Sequence, residues 1–245
     1  EVLPKAYYYH LQGELEETQS NIGTKPMFYF SENHLELDKP WVNGSKNMYS
    51  HNFPYGHDWT PPPLKEYYGN VNILQYEKPT LTINNKFNPE WSRPRAYNRF
   101  DLGELTQIFD RFSDKYQILY IRAVGDEKGY SDSVTSMEFN DYELIADKYP
   151  DVITIKDIMV EHPEYSYNEI QFMMEATSEK HLTVSGGNAI ISAYFGGDCY
   201  IYTCVDSPNA TRGQWMTDSW LNRLSDANIF GYLNFDKLIE GATKR

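Results

Sequence analysis

From Lys78 onward the chain alternates short apolar runs with helical spacings, and this alternation constrains the fold more than any other feature of the sequence. Tyr116–Ile121 is an apolar run interrupted only at Gln117, the pattern of a strand buried on both faces of a parallel sheet. Leu102, Leu105, Ile108, Phe109 and Phe112 recur at the spacing of one helix face. The same reading gives strands over Thr80–Asn84, Val152–Ile155, His181–Val184 and Tyr200–Val205. It gives helices over Phe139–Lys148, Tyr167–Ala176, Ala189–Phe195, Asp218–Leu224 and Phe235–Thr243. Alternation at these lengths is the mark of βαβ crossovers, so the expected class is α/β with a doubly wound parallel sheet.

Residues 1–76 read differently, being rich in Tyr, Pro, Gly, Asn and His. Ala6–His10 is expected as a strand, Leu15–Asn21 as a short helix and Lys25–Phe30 as a second strand. Trp41–Pro63 is a long polar and aromatic segment; loops of that length are functional or disordered, and the aromatic content argues against disorder. A boundary is expected near Tyr76–Pro79, giving an N-terminal domain of residues 1–77 and a C-terminal domain of residues 78–245. The first is small or incomplete, since ~75 residues barely make a layer with its own core.

The charge balance narrows the partners. Across 245 residues, 22 Lys and Arg stand against 35 Asp and Glu, a formal charge of −13. Such a surface repels nucleic-acid backbones and anionic lipid, so a phosphate-bearing ligand needs a local site of backbone N–H groups and placed cations. The aromatic share of 16%, with 21 Tyr, suits flat, half-wet ligands such as sugars and equally suits core packing. Cys199 and Cys204 have neither disulfide-framework nor metal spacing and are expected as buried thiols. No apolar run reaches the ~20 residues of a membrane span and no signal-peptide pattern opens the chain, so the expectation is a soluble intracellular protein.

Three clusters at strand ends carry candidate chemistry. In the stretch from His181 to Ile191 an apolar strand ends in Ser185-Gly186-Gly187-Asn188 and runs directly into a helix. The glycines permit a tight turn and close approach of a phosphate, and the helix N-terminus offers unpaired N–H groups and a favourable dipole. The alternative is an ordinary βα turn; neither a Gly-x-Gly-x-x-Gly fingerprint nor a Walker loop is present. After the Thr80–Asn84 strand, Lys86 is a candidate diphosphate contact and Glu90 a ribose or sugar contact, against the alternative of a polar loop. Arg122 follows the buried Tyr116–Ile121 run, where its guanidinium could fork onto phosphate or pair with a local carboxylate. Doubly wound geometry puts the base and ribose near Asp157 and Ile158, beyond the Val152–Ile155 strand, and near Glu90. The chain has no Asp-x-Asp triplet to hold a divalent metal on a diphosphate, so no metal cofactor is expected, and cations and a helix terminus take its role.

The string Lys78-Pro79-Thr80-Leu81-Thr82-Ile83-Asn84-Asn85-Lys86-Phe87-Asn88-Pro89-Glu90-Trp91 resembles a segment of small glycosyltransferases of the GT-B class, closest to those of chlorella viruses, which include a xylosyltransferase. Lys115–Arg122 and a single block running from Val184–Asn188 to Ala193–Gly197 look like two further segments of that family, so the resemblance covers roughly residues 78–225. Asn85, Phe87 and Cys199 depart from the commoner residues. The resemblance implies a GT-B-like pair of Rossmann-type domains with a cleft between them. The C-terminal domain would hold a UDP-sugar, with UDP preferred to GDP and xylose a possible sugar. The N-terminal domain would hold a glycan acceptor. It also implies metal independence and inversion, which needs one general base at the acceptor hydroxyl.

Among residues 1–76, Asp58 is the first candidate for that base, because a carboxylate beside an aromatic gains basicity on partial burial. Glu14, at a Gly turn, is second, and His10 and His34 follow; a solvated loop carboxylate is the plain alternative for Asp58. His57, Trp59 and His34 are the acceptor-side candidates, with Trp59 placed to stack on a sugar ring. Two other functions fit the composition: a carbohydrate-binding protein without turnover, and a glycoside-acting hydrolase, the latter lacking a Gly-x-Ser-x-Gly elbow.

Overall fold

The chain builds two parallel sheets, seen in a computed structural model that describes residues 2–37, 58–89, 96–125, 137–204, 206 and 220–244. After helix α1 (Val2–Gln12), a small sheet pairs β1 (Thr18–Asn21) with β2 (His34–Leu37), and helix α2 (Leu64–Asn70) follows. The large sheet holds β3 (Thr80–Asn84), β4 (Gln117–Ile121), β5 (Ile153–Thr154), β6 (Lys180–Val184), β7 (Asp198–Tyr202) and β8 (Asn228–Tyr232). Its order is β5-β4-β3-β6-β7-β8, every neighbouring pair parallel. Counted from β3 this is 3-2-1-4-5-6, the Rossmann order, with the winding direction reversing between β3 and β6. The α/β class stands, and the N-terminal third contributes the smaller layer.

Helices cover both faces. On one, α3 (Leu102–Phe112), α4 (Asp141–Lys148) and α8 (Phe235–Thr243) bury Leu105, Ile145 and Leu238 against Leu81, Ile83, Ile118, Tyr120, Leu182 and Val184. On the other lie α5 (Ile155–Glu161), α6 (Tyr167–Thr177) and α7 (Gly187–Tyr194), packed on Leu119, Ile121, Cys199 and Ile201. Alternate residues of β4 thus enter opposite cores, as a pleated strand between two helix layers requires. Helices α3, α5 and α6 begin with reciprocal capping boxes at Asp101/Glu104, Thr154/Asp157 and Ser166/Glu169. Helix α6 is buried on most of its circumference because α2 packs on its outer side. Leu3, Ala6, Phe28 and Phe30 join this same core, so the N-terminal layer and the large sheet share apolar contacts. No helix among the described residues is long and apolar enough to cross a membrane.

The N-terminal expectations are corrected. Ala6–His10 belongs to α1, because Leu3, Ala6 and Tyr7 reach the core at helical spacing rather than by alternation. Within Leu15–Asn21, the expected helix, Thr18–Asn21 is instead strand β1: it has no apolar helical face and takes its hydrogen bonds from β2. Lys25–Phe30, expected as a strand, opens with a 3-10 turn over Lys25–Phe28, since Pro26 lacks an N–H for a ladder. Further along, the Val152–Ile155 strand shortens to two residues as Thr154 caps α5, and a 3-10 turn at Trp220–Arg223 replaces the helix expected over Asp218–Leu224. Cys199 is buried and Cys204 half-buried, and both are free thiols.

The switch point has a polar interior. On the α6/α7 side, β3 presents Thr82 and Asn84 and β6 presents His181, all fully buried. They close on Glu175 of α6. Asn84 Nδ2 donates to Glu175 Oε1 at 2.7 Å and to Ser192 Oγ at 3.0 Å, and Ser192 Oγ donates to the same Glu175 Oε1 at 3.1 Å. His181 Nδ1 lies 2.9 Å from Glu175 Oε2 and 2.6 Å from Thr82 Oγ1. One carboxylate therefore ties β3, β6, α6 and α7 together directly beneath the strand ends that face ligand in this topology.

Candidate functional site

A cleft of ≈ 290 Å³ opens at the carboxyl ends of β3 and β6. Asn85, Lys86, Phe87 and Asn88 line it from the β3–α3 loop, and Gly187, Asn188 and Ile191 from α7. Tyr167, Asn168 and Gln171 of α6 form another wall, and Ile22, Thr24 and Met27 from beyond β1 close it on the N-terminal side. Asn168 Nδ2 donates to Gly23 O, which fixes that N-terminal loop to α6. A wider groove of ≈ 620 Å³ lies at the other end of α7, beside Tyr194, Arg223 and Asp226. That is the amino-terminal edge of the strands, whereas doubly wound sheets bind ligands at the carboxyl edge.

Asn85 builds the cationic side of the cleft. Buried at 1% exposure, it accepts at Oδ1 from the Lys86 and Phe100 amides and donates from Nδ2 to Phe100 O and Tyr120 Oη. Asn188 Nδ2 reaches across from α7 to Asn85 O at 3.2 Å, joining the two glycine- and lysine-bearing turns. Gly186 has φ +135° and ψ −154°, a region open only to glycine. A Cβ built on it would lie 2.8 Å from Lys86 Nζ, so the ammonium rests over the bare Cα at the start of α7. At Gly187 a Cβ would meet nothing within 4 Å. Gly186 is thus the glycine this geometry requires. Lys86 is the one charged side chain among the described lining residues, and it lies beside the α7 N-terminus, whose dipole has the same sign.

The remaining expected donor residues are placed elsewhere. Arg122 is 2% exposed and forks onto both oxygens of buried Asp141, with Tyr120 Oη donating to the same carboxylate and the Tyr142 ring 4.9 Å from the guanidinium. Burial acts to lower its pKa, but the hydrogen bonds and charge of Asp141 outweigh burial and hold it raised. The guanidinium is thus engaged by a local carboxylate, the pairing alternative, and it does not line the cleft. Asp157 spends its carboxylate capping α5, accepting from the Thr154 amide at 2.9 Å, and Ile158 lies in the core. Neither lines the cleft. Ser185 is fully buried beneath the turn, its amide bonded to Tyr202 O. Glu90 and His57 lie outside the described residues.

On the acceptor side, Asp58 is 8% exposed and pairs with Lys5 of α1 at 3.1 Å. Trp59 packs on the core, edge-to-face with Trp220. Glu14 is exposed beyond α1, and His10 lines a separate depression of ≈ 260 Å³ with Phe30 and Asn33. None of these four lines the cleft. An Asp58→Asn variant is expected to lose about 1–3 kcal/mol of stability by leaving Lys5 half-buried without its counter-charge, which thermal melting checks. His34 lies 2.7 Å from Thr18 Oγ1 at Nδ1 and stacks on Phe28. Burial lowers its pKa from 6.5, Glu36 partly opposes this and Lys25 adds to it. A histidine with a depressed folded pKa contributes stability above its unfolded value and loses it as pH falls. Melting of the parent is therefore expected to fall more steeply than that of His34→Gln between about pH 7 and 5.

No family model matches the chain, and no curated protein matches it. Among solved structures it is similar to the wall teichoic acid polymerase TagF, at 10% identity and TM-score 0.37, covering 97% of this chain and 53% of that one. A variant of the same polymerase gives 10% identity and TM-score 0.35 over 74% of this chain and 40% of that one. The chain spans about half the length or less of these neighbours. At such scores the likeness decides nothing about what this cleft binds.

The cleft also contains residues that the sequence did not mark. Tyr167, Asn168 and Gln171 belong to the helix expected over Tyr167–Ala176, Met27 to the strand expected over Lys25–Phe30, and Ile22 and Thr24 to the link before it. The available signal was Asn168 and Gln171, two amides three residues apart among Tyr167, Ile170, Phe172 and Met173. Buried amides in an apolar helix need partners, and the structure shows where they face.

Proposed function

We propose that the chain is a glycosyltransferase that holds a UDP-sugar in the cleft at the β3/β6 switch point and transfers the sugar to a hydroxyl of a glycan acceptor. The observation that carries this reading is the convergence of Lys86 Nζ on the Gly186 turn at the start of α7. An ammonium beside unpaired helix N–H groups is a diphosphate cradle that needs no bridging metal. The uridine specificity, and xylose as the sugar, rest on the sequence resemblance. In the reaction the acceptor oxygen attacks the anomeric carbon and its proton passes to a base. The bond from that carbon to the β-phosphate oxygen breaks, its electron pair leaving on the diphosphate, where Lys86 and the α7 terminus stabilise the growing charge. A single displacement of this kind inverts the anomeric carbon.

Calorimetry and thermal shift against UDP, GDP, ADP and CMP, with and without EDTA, test the reading. UDP is expected to raise the melting temperature most, equally with EDTA, and Lys86→Ala to weaken UDP binding about 10-fold or more by removing a charge-assisted contact. If no nucleotide stabilises the protein while free sugars do, it is a carbohydrate-binding module instead.

A further inference from the structure

Gln171 is 2% exposed, lines the cleft, and its side-chain amide hydrogen-bonds to no described residue. A buried primary amide left without partners costs stability, and one that opens onto a cleft is a group kept for a ligand. Its surroundings set the chemistry of that ligand. Lys86 and the α7 terminus take the anionic end, and the other described lining residues around Gln171, namely Thr24, Met27, Tyr167, Asn168 and Ile191, are all uncharged. Asn88 adds a second neutral group, with a buried Oδ1 that has no partner among the described residues. An amide supplies both a donor and an acceptor, which matches a hydroxyl and gives a carboxylate no counter-charge.

We propose that Gln171 reads a hydroxyl of the transferred sugar and that the donor is therefore a neutral glycosyl nucleotide, not a uronate. The inference rests on the diphosphate reading of the same cleft. UDP-xylose, UDP-glucose and UDP-glucuronate serve as probes, since they differ only in the substituent on C5. The parent protein is expected to bind UDP-xylose or UDP-glucose more tightly than UDP, and UDP-glucuronate at least about 10-fold more weakly than the better neutral sugar. Gln171→Leu, which fills the same volume without the amide, is expected to lose about 3- to 10-fold in affinity for the neutral UDP-sugar and nothing for UDP. Apo melting of Gln171→Leu should equal or exceed that of the parent, because no internal bond is broken.

Equal losses for UDP and UDP-sugar in Gln171→Leu, or no loss for either, overturn the assignment of Gln171. Equal affinity of the parent for UDP-glucuronate and for the better-bound neutral UDP-sugar overturns the neutral-sugar class even if the variant does not fold. Failure of the parent to bind UDP at all is a different result, and it removes the diphosphate reading itself.

Discussion

Arg122→Ala is expected to cost about 3–5 kcal/mol of folding stability, because it leaves the Asp141 carboxylate buried without its counter-charge. Asp141 is fully buried, and the removed guanidinium donates to both of its oxygens, so Tyr120 Oη is left as the side-chain donor to that carboxylate among the described residues. For a domain of this size the loss lowers the melting temperature on the order of 10 °C. The folded fraction should keep the parent's affinity for UDP, since the guanidinium faces α4 and the interior of the cleft is lined without it. Replacing the pair together, Arg122→Met with Asp141→Leu, should recover part of the stability, as apolar residues of similar volume often do. An Arg122→Ala protein that melts like the parent but no longer binds UDP would return Arg122 to the diphosphate site.

Gly186→Val is expected to damage both fold and cleft. At φ +135° any side chain is strained, at about 1–3 kcal/mol. Lys86 Nζ, 2.8 Å from the new Cβ, is a flexible terminus and moves aside at little cost. Moving it is the functional injury, because the ammonium leaves the start of α7 and UDP affinity falls about 10-fold or more. Gly187→Ala supplies the comparison one residue on: its Cβ meets no atom within 4 Å, so its melting should match the parent's. Melting and UDP calorimetry of the two variants check this, and parent-like behaviour of Gly186→Val on both would refute the cradle geometry.

The segments that carry the resemblance to small GT-B glycosyltransferases fold onto neighbouring strands, and their side chains take up different roles there. The loop after β3 and the turn after β6 are both found at the switch point. Arg122, Asp157 and Ile158 follow strand ends too, but each is consumed by its own neighbourhood: an ion pair with Asp141, a helix cap at Thr154 and the apolar core. A residue's place after a strand says that it is near the ligand edge; it does not say whether a partner nearer still has already claimed it.

What the sequence by itself determined is the set of elements with strong local periodicity. Leu102–Phe112 carries a helical apolar stripe and a capping box and forms α3 over that same span, and the buried runs at Thr80, Tyr116 and His181 form β3, β4 and β6. Those signals are local because pleat and helix repeat within a few residues. The N-terminal elements differ from what their local sequence predicts because their hydrogen bonds and packing are supplied by other parts of the chain: β1 exists through β2, and α1 through the core it shares with α6 and α7. The tertiary structure alone decided that Lys86 and Gly186, 100 residues apart, meet at one helix terminus, and that Gln171 opens into the same space. Strand order brings those residues together, and strand order is set by the burial of whole faces, which no local pattern records.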